Sequence, residues 1–350
     1  MSREVLFLQE LIAIPSPSGQ EDIVAEFLIG QMEALGFQTC RDQVGNVVGT
    51  LGDPAPERRI VLLGHMDTVP GRVPVRREGE RIYGRGAVDA KGSLAAFVLA
   101  AARVRSSLRN AQITVIGAVE EEASSRGARH LAATLPPPDY AIIGEPSGWQ
   151  GITLGYKGNL RFHYRLVQPA GHTAGPWPGP AQKAVDLWNH LMDFSTGYNH
   201  GRSGHYDTLD PALLEFATFS DGLTDGVEMK IALRMPPDLP ISELQHTLQT
   251  WCNGARLDFY PSDPAFQADK HNPLVRAMLQ AIRQKGGQPR FKLKTGTSDM
   301  NVVGPAWRCP IIAYGPGDSS LDHTPHEHLE ISEFLQAIDV LTRALEILSG

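Results

Sequence analysis

Short apolar runs alternate along the first part of the chain with segments whose apolar positions recur at helical spacing. Ile60–Leu63, Ile113–Val119 and Tyr140–Ile143 are short and predominantly apolar, which is typical of strands buried on both faces of a parallel sheet. Glu21–Leu35 has helical spacing and is followed by Gly36, a common C-terminal cap. This alternation predicts an α/β fold. The same patterns predict helices over Glu4–Ile14 and Gly92–Val104 and a strand over Val44–Leu51.

The pattern changes near Gly158. Asn159–Val167 alternates polar and apolar residues, as a strand with one solvated face does. The predicted order from there is β-α-β-β-α-β, that of a ferredoxin-like unit. Its elements are strand Asn159–Val167, helix Gln182–Phe194, strands Leu214–Phe219 and Val227–Leu233, a helix from Ser242, and strand Ala255–Tyr260. Helix Leu274–Gln284 and strand Pro310–Tyr314 then return to the α/β pattern of the first part of the chain. We therefore predict one domain of residues 1–158 and 271–350, with residues 159–270 inserted as a second domain.

Composition narrows the class of protein. A chain of 350 residues exceeds what one hydrophobic core comfortably serves, which favours two domains. The net charge of -7 argues against nucleic-acid binding, and no apolar run has the length of a membrane span. The N-terminus lacks the pattern of a signal peptide. Three widely spaced cysteines suit a reducing compartment and exclude a thiolate metal cluster. We expect a cytoplasmic protein without nucleic-acid or membrane partners.

The predicted strands of the first domain are followed by side chains that can bind a metal ion. These residues are His65 and Asp67, the acids Glu120–Glu122, Glu145, and the late His323. Asp89 lies in a glycine-rich loop before a predicted helix. In open α/β sheets, ligands gather outside the carboxyl ends of the strands, so these side chains are expected to converge. The pattern predicts one metal site and a metal-dependent hydrolase.

Each signal also has an ordinary structural explanation. A His and an Asp two positions apart can close a turn, Asp89 can cap a helix, and successive acids can form a solvated face. However, three like charges at a buried strand end strongly raise one another's pKa unless a cation offsets them, which favours a metal. Imidazoles and carboxylates without thiolates suit a catalytic zinc or cobalt pair. Residues 322–328 hold three histidines, and spacing alone does not choose among them.

Taken together, these segments resemble the M20 family of metal-dependent peptidases and deacylases, which includes succinyl-diaminopimelate desuccinylase and acetylornithine deacetylase. The resemblance rests on Gly64–Pro70, Gly84–Gly92, the glutamates after Val119, Gly144–Ser147 and the late histidine. It implies a zinc-exopeptidase-like catalytic domain with a mixed, mostly parallel sheet. It also implies that the ferredoxin-like α+β insertion is a lid that forms a homodimer.

The resemblance also implies roles for individual residues. One divalent ion would be held by His65, Asp89 and Glu145, and a second by Asp89, Glu122 and His323, with Asp89 bridging. The ions would be Zn²⁺, with Co²⁺ as the alternative. Glu121 would be the general base and Asp67 the acid behind His65. His172 would be a lid histidine that reaches the partner subunit's active site, and Arg234, Thr297 and Ser298 would bind substrate.

Two of these choices depend on spacing in the family pattern. His323 is preferred over His326 because the family has a glutamate four positions after its ligand, which is Glu327 here. Glu121 and Glu122 are preferred over Glu120 because the interval from Glu122 to Gly127 matches the family's interval. Glu120 is therefore an extra acid, and no family role is expected for it.

Within the family, Gly84–Gly92, Leu154–Gly158 and Tyr314–Ser320 resemble the branch that frees lysine or ornithine from the acidic amino-group carrier protein LysW. This implies hydrolysis of the amide between the carrier's terminal glutamate side chain and the amino acid's α-amino group, in lysine or arginine biosynthesis. A cluster of cations in residues 72–91 predicts either a basic surface that would dock such a carrier or a solvated hairpin whose charges serve solubility. The alternatives are a small-molecule deacylase of the acetylornithine or succinyl-diaminopimelate type, a dipeptidase, or a non-catalytic binding protein. A Rossmann dehydrogenase is excluded because Gly84-x-Gly86 does not continue as GxGxxG after a strand.

Overall fold

A computed structural model describes residues 2–252 and 254–350 and divides the chain into two compact units. Unit 1 comprises the residues up to Gly155 together with Ala268–Leu293 and Ser298–Gly350, and unit 2 comprises Tyr156–Gln267 and Lys294–Thr297. Residues 294–297 fall within the predicted first domain, 1–158 and 271–350, but in the structure they belong to unit 2. There the carbonyl of Lys294 accepts a hydrogen bond from the N–H of Lys157 at 3.1 Å.

The elements are numbered in chain order. The helices are α1 (Arg3–Ala13), α2 (Asp22–Ala34), α3 (Lys91–Val104), α4 (Arg126–Thr134), α5 (Pro180–Asn199), α6 (Ile241–Trp251), α7 (Pro273–Gln284), α8 (Asp299–Trp307) and α9 (Ile331–Ser349). The strands are β1 (Gln38–Arg41), β2 (Val47–Gly52), β3 (Arg58–His65), β4 (Arg76–Glu78), β5 (Arg81–Tyr83), β6 (Ala111–Ala118), β7 (Tyr140–Ile143), β8 (Gly151–Tyr156), β9 (Gly158–Pro169), β10 (Asp210–Ser220), β11 (Thr224–Met235), β12 (Arg256–Phe259), β13 (Phe266–Gln267), β14 (Arg290–Lys294), β15 (Ile311–Ala313) and β16 (His328–Glu330). Within the described residues, no helix is both long and apolar enough to cross a membrane.

The main sheet of unit 1 has the strand order β1-β2-β6-β3-β7-β15-β8, and β14 pairs with β8. The four central strands β6, β3, β7 and β15 are parallel, while β2 and β8 are antiparallel to their central neighbours. The α/β fold predicted from the apolar runs, and the mixed, mostly parallel sheet that the family resemblance implies, are therefore confirmed. Because the central strands are parallel, their carboxyl ends lie along one edge of the sheet.

Helix α3 lies directly against the centre of this sheet. A glycine on the strand allows the close approach, since a Cβ atom added to Gly64 on β3 would lie 3.2 Å from the Cβ of Leu94 on α3. Almost the whole helix is buried, and α9 packs against it. The N-terminus of α3, and the Asp89 loop before it, are thereby fixed near the end of β3.

A small three-stranded sheet, ordered β16-β5-β4, was not predicted from the sequence. Its strands have only three residues each, and β16 pairs with β5 across about 250 residues of chain, as in His328 with Tyr83. Short strands with a distant partner leave no periodic signal. The pairing matters for function because it brings the segment after His323 beside the loop that carries Asp89.

Unit 2 is an antiparallel sheet of strand order β10-β11-β9-β12, with α5 and α6 in a β-α-β-β-α-β sequence. This is the predicted order of elements. Its buried core includes Leu160, Phe162, Leu187 and Leu244. The edge strand β10 is exposed along almost its whole length.

The two ends of unit 2 lie side by side. The N–H of Asn159 donates to the carbonyl of Asp263 at 2.9 Å. Only glycine fits at position 158, because a Cβ there would lie 2.6 Å from the backbone N of Ala265. In unit 1, the N–H of Ala268 donates to the carbonyl of Leu154 at 2.8 Å.

Candidate metal-dependent active site

The carboxyl end of β3 and the loops beside it bring four of the predicted metal ligands together. The Nε2 atom of His65 lies 3.3 Å from Oδ1 of Asp89. The Nε2 atom of His323 lies 3.1 Å from Oδ2 of Asp89 and 3.1 Å from Oε1 of Glu122. Asp89 therefore faces a different imidazole with each of its two oxygens. Ala90, not Asp89, occupies the N-cap position of α3, so helix capping does not explain the aspartate.

This set of atoms fits divalent metal ions. Ligand atoms of Asp89, Glu122 and His323 all lie within 4.8 Å of one another, and no other described residues form such a set of three. Two ligands bound at about 2.1 Å to a tetrahedral ion are roughly 3.4 Å apart, close to the separations seen here. Imidazole nitrogens with carboxylate oxygens are the donor set that zinc accepts in catalytic sites. The carboxylate of Glu145 lies outside this set but is buried nearby, since its charge acts on Glu121.

The protonation equilibria of the site reflect the crowding of acids. Burial raises the pKa of Glu121 well above its usual range, and the charges of Glu145 and Asp299 add to this effect, although His65 opposes it. Hydrogen bonds to Asp89 and Glu122 raise the pKa of His323 to about 10. Burial would raise the pKa of Asp89, but the two imidazoles outweigh it and lower that pKa. The site thus concentrates negative charge that a bound cation would offset.

Asp67 holds the site from behind. Its side chain is fully buried, and its Oδ1 lies 3.4 Å from Nδ1 of His65, whose ring nitrogen also lies 3.0 Å from the Asp67 carbonyl oxygen. The same carboxylate accepts the backbone N–H groups of Glu121 and Glu122, each at 3.1 Å. Asp67 therefore orients the imidazole of His65 and the backbone of the two glutamates.

Glu120, the extra acid, is turned away from the other two. Its carboxylate accepts hydrogen bonds from Arg126 at 2.8 Å and from the Ser124 hydroxyl at 2.6 Å. Its φ of 57° is in the left-handed region, which is uncommon for a residue with a side chain. The carbonyl of Glu120 accepts the N–H of Ser125 at 2.6 Å, which closes the turn. Glu120 is thus a structural residue of the turn that presents Glu121 and Glu122.

Of the three histidines in residues 322–328, His323 alone contacts the ligand carboxylates. The ring of His328 instead stacks on Tyr83 with centroids 4.9 Å apart, and its Nδ1 lies 2.8 Å from the carbonyl oxygen of His326. His326 is exposed, and its N–H donates to Thr324 at 3.3 Å. The backbone of His323 is left-handed, with a φ of 62°.

The predicted substrate-binding residues are divided between the units. His172 lies in the exposed loop between β9 and α5 of unit 2, where its Nδ1 accepts the N–H of Ala174 at 3.1 Å. Arg234 lies on β11 and donates to the Thr297 hydroxyl at 3.2 Å, also within unit 2. Ser298 belongs to unit 1, where its hydroxyl caps α8 by accepting the N–H of Met300 at 3.2 Å.

The predicted basic surface of residues 72–91 is largely neutralised. Lys91 is buried and donates to the carbonyl of Ile14 at 2.6 Å. Four arginines are paired with glutamates: Arg76 with Glu78 at 2.6 Å, Arg77 with Glu80 at 3.4 Å, Arg81 with Glu330 at 2.6 Å, and Arg85 with Glu327 at 2.7 Å. The predicted basic surface is therefore weaker than the sequence indicates, because four of its six cations form ion pairs and Lys91 is buried, whereas Arg72 is exposed.

Two residues of the site were not found from the sequence. Ser18 donates to Oδ2 of Asp67 at 2.7 Å, and Oε1 of Glu21 accepts the N–H of Glu120 at 3.1 Å. Both lie in the turn between α1 and α2, far in sequence from the residues they contact. The available signal was the polar run from Ser16 to Glu21 between two predicted helices, which alone reads as an ordinary loop.

Comparison with known proteins agrees with the fold and identifies the family. Residues 61–347 match the model of peptidase family M20/M25/M40. The chain is 43% identical to a LysW-lysine hydrolase of Deinococcus radiodurans, over 98% of this chain and 96% of that protein. It is 28% identical to a LysW-lysine/LysW-ornithine hydrolase of Sulfurisphaera tokodaii, over 97% and 94%. An M20 family metallo-carboxypeptidase of Sulfolobus solfataricus has the same fold, with a TM-score of 0.83, 18% identity and full coverage of both chains.

A parallel sheet whose strand ends gather imidazoles and carboxylates around a glutamate defines a metal-dependent hydrolase. The chain belongs to peptidase family M20/M25/M40, as the resemblance of its motifs predicted. It is a hydrolase of the amide-cleaving kind found in that family.

Proposed function

We propose that this chain hydrolyses the amide bond that attaches lysine or ornithine to the carrier protein LysW, in lysine or arginine biosynthesis in the cytoplasm. The observation that carries the proposal is the 43% identity with a LysW-lysine hydrolase over almost the full length of both chains. The site supports the chemistry, because Asp89 faces two imidazoles with its two oxygens while Glu121 stands beside them. The three cysteines are free thiols, as suits a reducing compartment.

We assign the metal ligands as the resemblance implies. His65, Asp89 and Glu145 would hold one ion, and Asp89, Glu122 and His323 the other, with Zn²⁺ or Co²⁺ as the metal. When bound, such a pair polarises the scissile carbonyl and makes water a stronger nucleophile at neutral pH. Asp67 contributes by fixing the ring of His65, since a ligand imidazole needs a partner on its other nitrogen.

Glu121 is the proton carrier in this proposal. Its carboxylate accepts a proton from the attacking water as the water oxygen bonds to the amide carbon. It then delivers that proton to the departing α-amino nitrogen as the C–N bond breaks, which leaves a free amine and a carboxylic acid on the carrier's glutamate side chain. The acid then gives its proton to the amine or to solvent, so that the products are the carboxylate and the ammonium group. Burial and the neighbouring acids raise the pKa of Glu121 when no metal is bound, and bound cations would lower it again, so that the carboxylate can accept a proton from water and return it.

Unit 2, together with Ser298 of unit 1, supplies the remaining roles in this proposal. His172 would stabilise the oxyanion in the partner subunit's active site. Arg234, held by Thr297, offers a guanidinium for a substrate carboxylate, and Thr297 and Ser298 would complete the substrate contacts. The exposed edge strand β10 supports a homodimer formed by unit 2, because Leu214 and Phe216 are 63% and 40% exposed there.

Hydrolysis of carrier-linked lysine and of N-acetylornithine by the purified, metal-loaded protein tests the substrate. We expect kcat/KM to be much higher for the carrier-linked amino acid. Carrier-linked ornithine, assayed in parallel, decides the preference between the two amino acids. Turnover of N-acetylornithine, N-succinyl-diaminopimelate or a dipeptide with no release from the carrier would show a small-molecule deacylase or dipeptidase instead.

A further inference from the structure

Three successive backbone N–H groups, those of Glu120, Glu121 and Glu122, are each taken by a carboxylate oxygen. Glu21 accepts the first through Oε1 at 3.1 Å. Asp67 accepts the second through Oδ1 and the third through Oδ2, both at 3.1 Å. Both carboxylates are buried, with Asp67 fully inaccessible and Glu21 4% exposed.

Each of these carboxylates also accepts a hydrogen bond from the segment before α2. Oε1 of Glu21 also accepts the N–H of Gly19 at 2.9 Å, and Oδ2 of Asp67 also accepts the Ser18 hydroxyl at 2.7 Å. The same short segment is tied to β3's end by the Ser16 hydroxyl, which donates to the carbonyl of Met66 at 2.7 Å. The segment from Ser16 to Glu21 thus braces the end of β3 and the turn after β6 at once.

We infer that Ser18 and Glu21 are positioning residues, which act through Asp67 and through the backbone of Glu120 to hold Glu121 and Glu122 in place. The turn has a left-handed residue at Glu120 and makes no helix or strand of its own, so the N–H groups of residues 120–122 depend on these side-chain acceptors. A buried hydrogen bond to a charged group is stronger than one between neutral groups. Ser18 and Glu21 would therefore affect catalysis only through the residues that they hold in place.

The role of Glu121 in this inference rests on the proposed function. The hydrogen bonds that link the backbone of residues 120–122 to Glu21 and Asp67, which we call the brace, can be measured without any substrate. Hydrogen exchange of the backbone amides of residues 120–122 reports the three hydrogen bonds directly. In the wild-type chain these amides should be protected despite lying outside helices and strands. In Ser18→Ala the amides of Glu121 and Glu122 should exchange faster, and in Glu21→Ala that of Glu120.

Conservative variants separate positioning from general damage. Ser18→Thr keeps the hydroxyl and Glu21→Gln keeps an acceptor oxygen, so both should retain slow exchange. Ser195→Ala is the matched control, because Ser195 in unit 2 is a buried serine whose hydroxyl donates to Leu209 at the same 2.7 Å. It should lower the Tm without changing exchange at residues 120–122.

Kinetics with whichever amide the wild-type protein hydrolyses complete the test. We expect Ser18→Ala to lower kcat about 10-fold with KM within about twofold, and Ser18→Thr to restore kcat, since the supporting contacts of metal sites typically affect activity on that scale. Wild-type exchange rates in Ser18→Ala, or equal loss of kcat in Ser18→Ala and Ser18→Thr, would overturn the inference. Failure to cleave carrier-linked lysine would rule out the proposed substrate. The hydrogen-exchange rates at residues 120–122 would still show whether Ser18 and Glu21 position the turn.

Discussion

Glu327 grips the backbone of Asp89: its Oε1 accepts the Asp89 N–H at 3.1 Å and the Val88 N–H at 3.0 Å. Its Oε2 accepts a hydrogen bond from the guanidinium of Arg85 at 2.7 Å, and the side chain of Glu327 is buried. Glu327 lies four residues after His323, so one carboxylate connects the loops that carry two of the proposed ligands. The family spacing that selected His323 therefore has a physical basis in this contact.

Replacing Glu327 with Gln should weaken metal binding. The amide NH₂ would face either Arg85 or the two backbone N–H groups, so one set of donors would lose its acceptor. Loss of such a supporting contact typically reduces metal affinity by about 10–100-fold. Competition with a chelator measures the affinity. The control is Glu330→Gln, which breaks the exposed pair with Arg81 and should leave metal binding unchanged. Equal affinities in the two variants would contradict the role of Glu327.

Glu121→Gln should retain metal and lose turnover. The amide is nearly the same shape but cannot accept the proton of the attacking water, a step worth about 10²–10⁴-fold. The neighbouring Glu120→Gln is the matched control, because Glu120 contacts Arg126 and Ser124 and should remain active. Measurement of kcat on metal-replete samples decides the matter. More than half of the wild-type kcat in Glu121→Gln would rule out the general base.

Asp89→Asn should halve or abolish the metal content. A bridging carboxylate offsets charge on both ions, whereas the amide offers one neutral oxygen and a donor group. Metal analysis after extensive dialysis gives the stoichiometry directly. Two full equivalents of metal bound per chain in the variant would contradict the assignment of Asp89 as the carboxylate that bridges the two ions.

Mixing two inactive variants tests whether the lid histidine acts across a dimer. Glu121→Gln and His172→Ala subunits should each be nearly inactive alone. A hybrid dimer would contain one site with Glu121 from one chain and His172 from the other, so some activity should return. Each variant re-mixed with itself is the control. An absence of recovery, with hybrid formation verified by mass, would place His172 in its own subunit's site or outside the chemistry.

The reactivity of the cysteines should follow their surroundings. Burial raises the pKa of Cys252 and of Cys309 to about 11, so at pH 8 only about one thiol in a thousand at these positions is ionised. Cys40 is exposed. A thiol-reactive disulfide reagent at pH 8 should therefore titrate one fast equivalent in the native protein and three after denaturation. Three fast equivalents in the native state would contradict the burial of the other two.

Much of unit 1 could be predicted because its central strands are buried on both faces. The run Tyr140–Ile143 was predicted to the residue, and the strands around Ile60 and Ile113 differ from the structure only at their ends. Strands β4, β5 and β16 were missed, since three-residue segments have no period to detect. Helix α9 was also left unassigned, although its apolar spacing is that of an amphipathic helix.

For the site, the sequence indicated the residue types but not their supports. His65, Asp89 and Glu122 follow strands or precede a helix, where the topology of a parallel sheet brings side chains together. Ser18 and Glu327 act through contacts that span 49 and 238 residues of chain, and no local pattern encodes such partners. The arginines of residues 72–85 were misjudged for the same reason, because their glutamate partners include Glu327 and Glu330 from the far end of the chain.

The paired ends of unit 2 have a consequence for how such a chain arises. Asn159 and Asp263 are hydrogen-bonded to each other, and so are Leu154 and Ala268 on the host side. A single insertion or excision between Gly155 and Ala268 could therefore add or remove the continuous part of unit 2, and only Lys294–Thr297 lie outside that segment. The proposed catalytic scaffold and the proposed substrate-binding unit could thus be exchanged separately during evolution, with the strand ends of the main sheet left in place while specificity diverges.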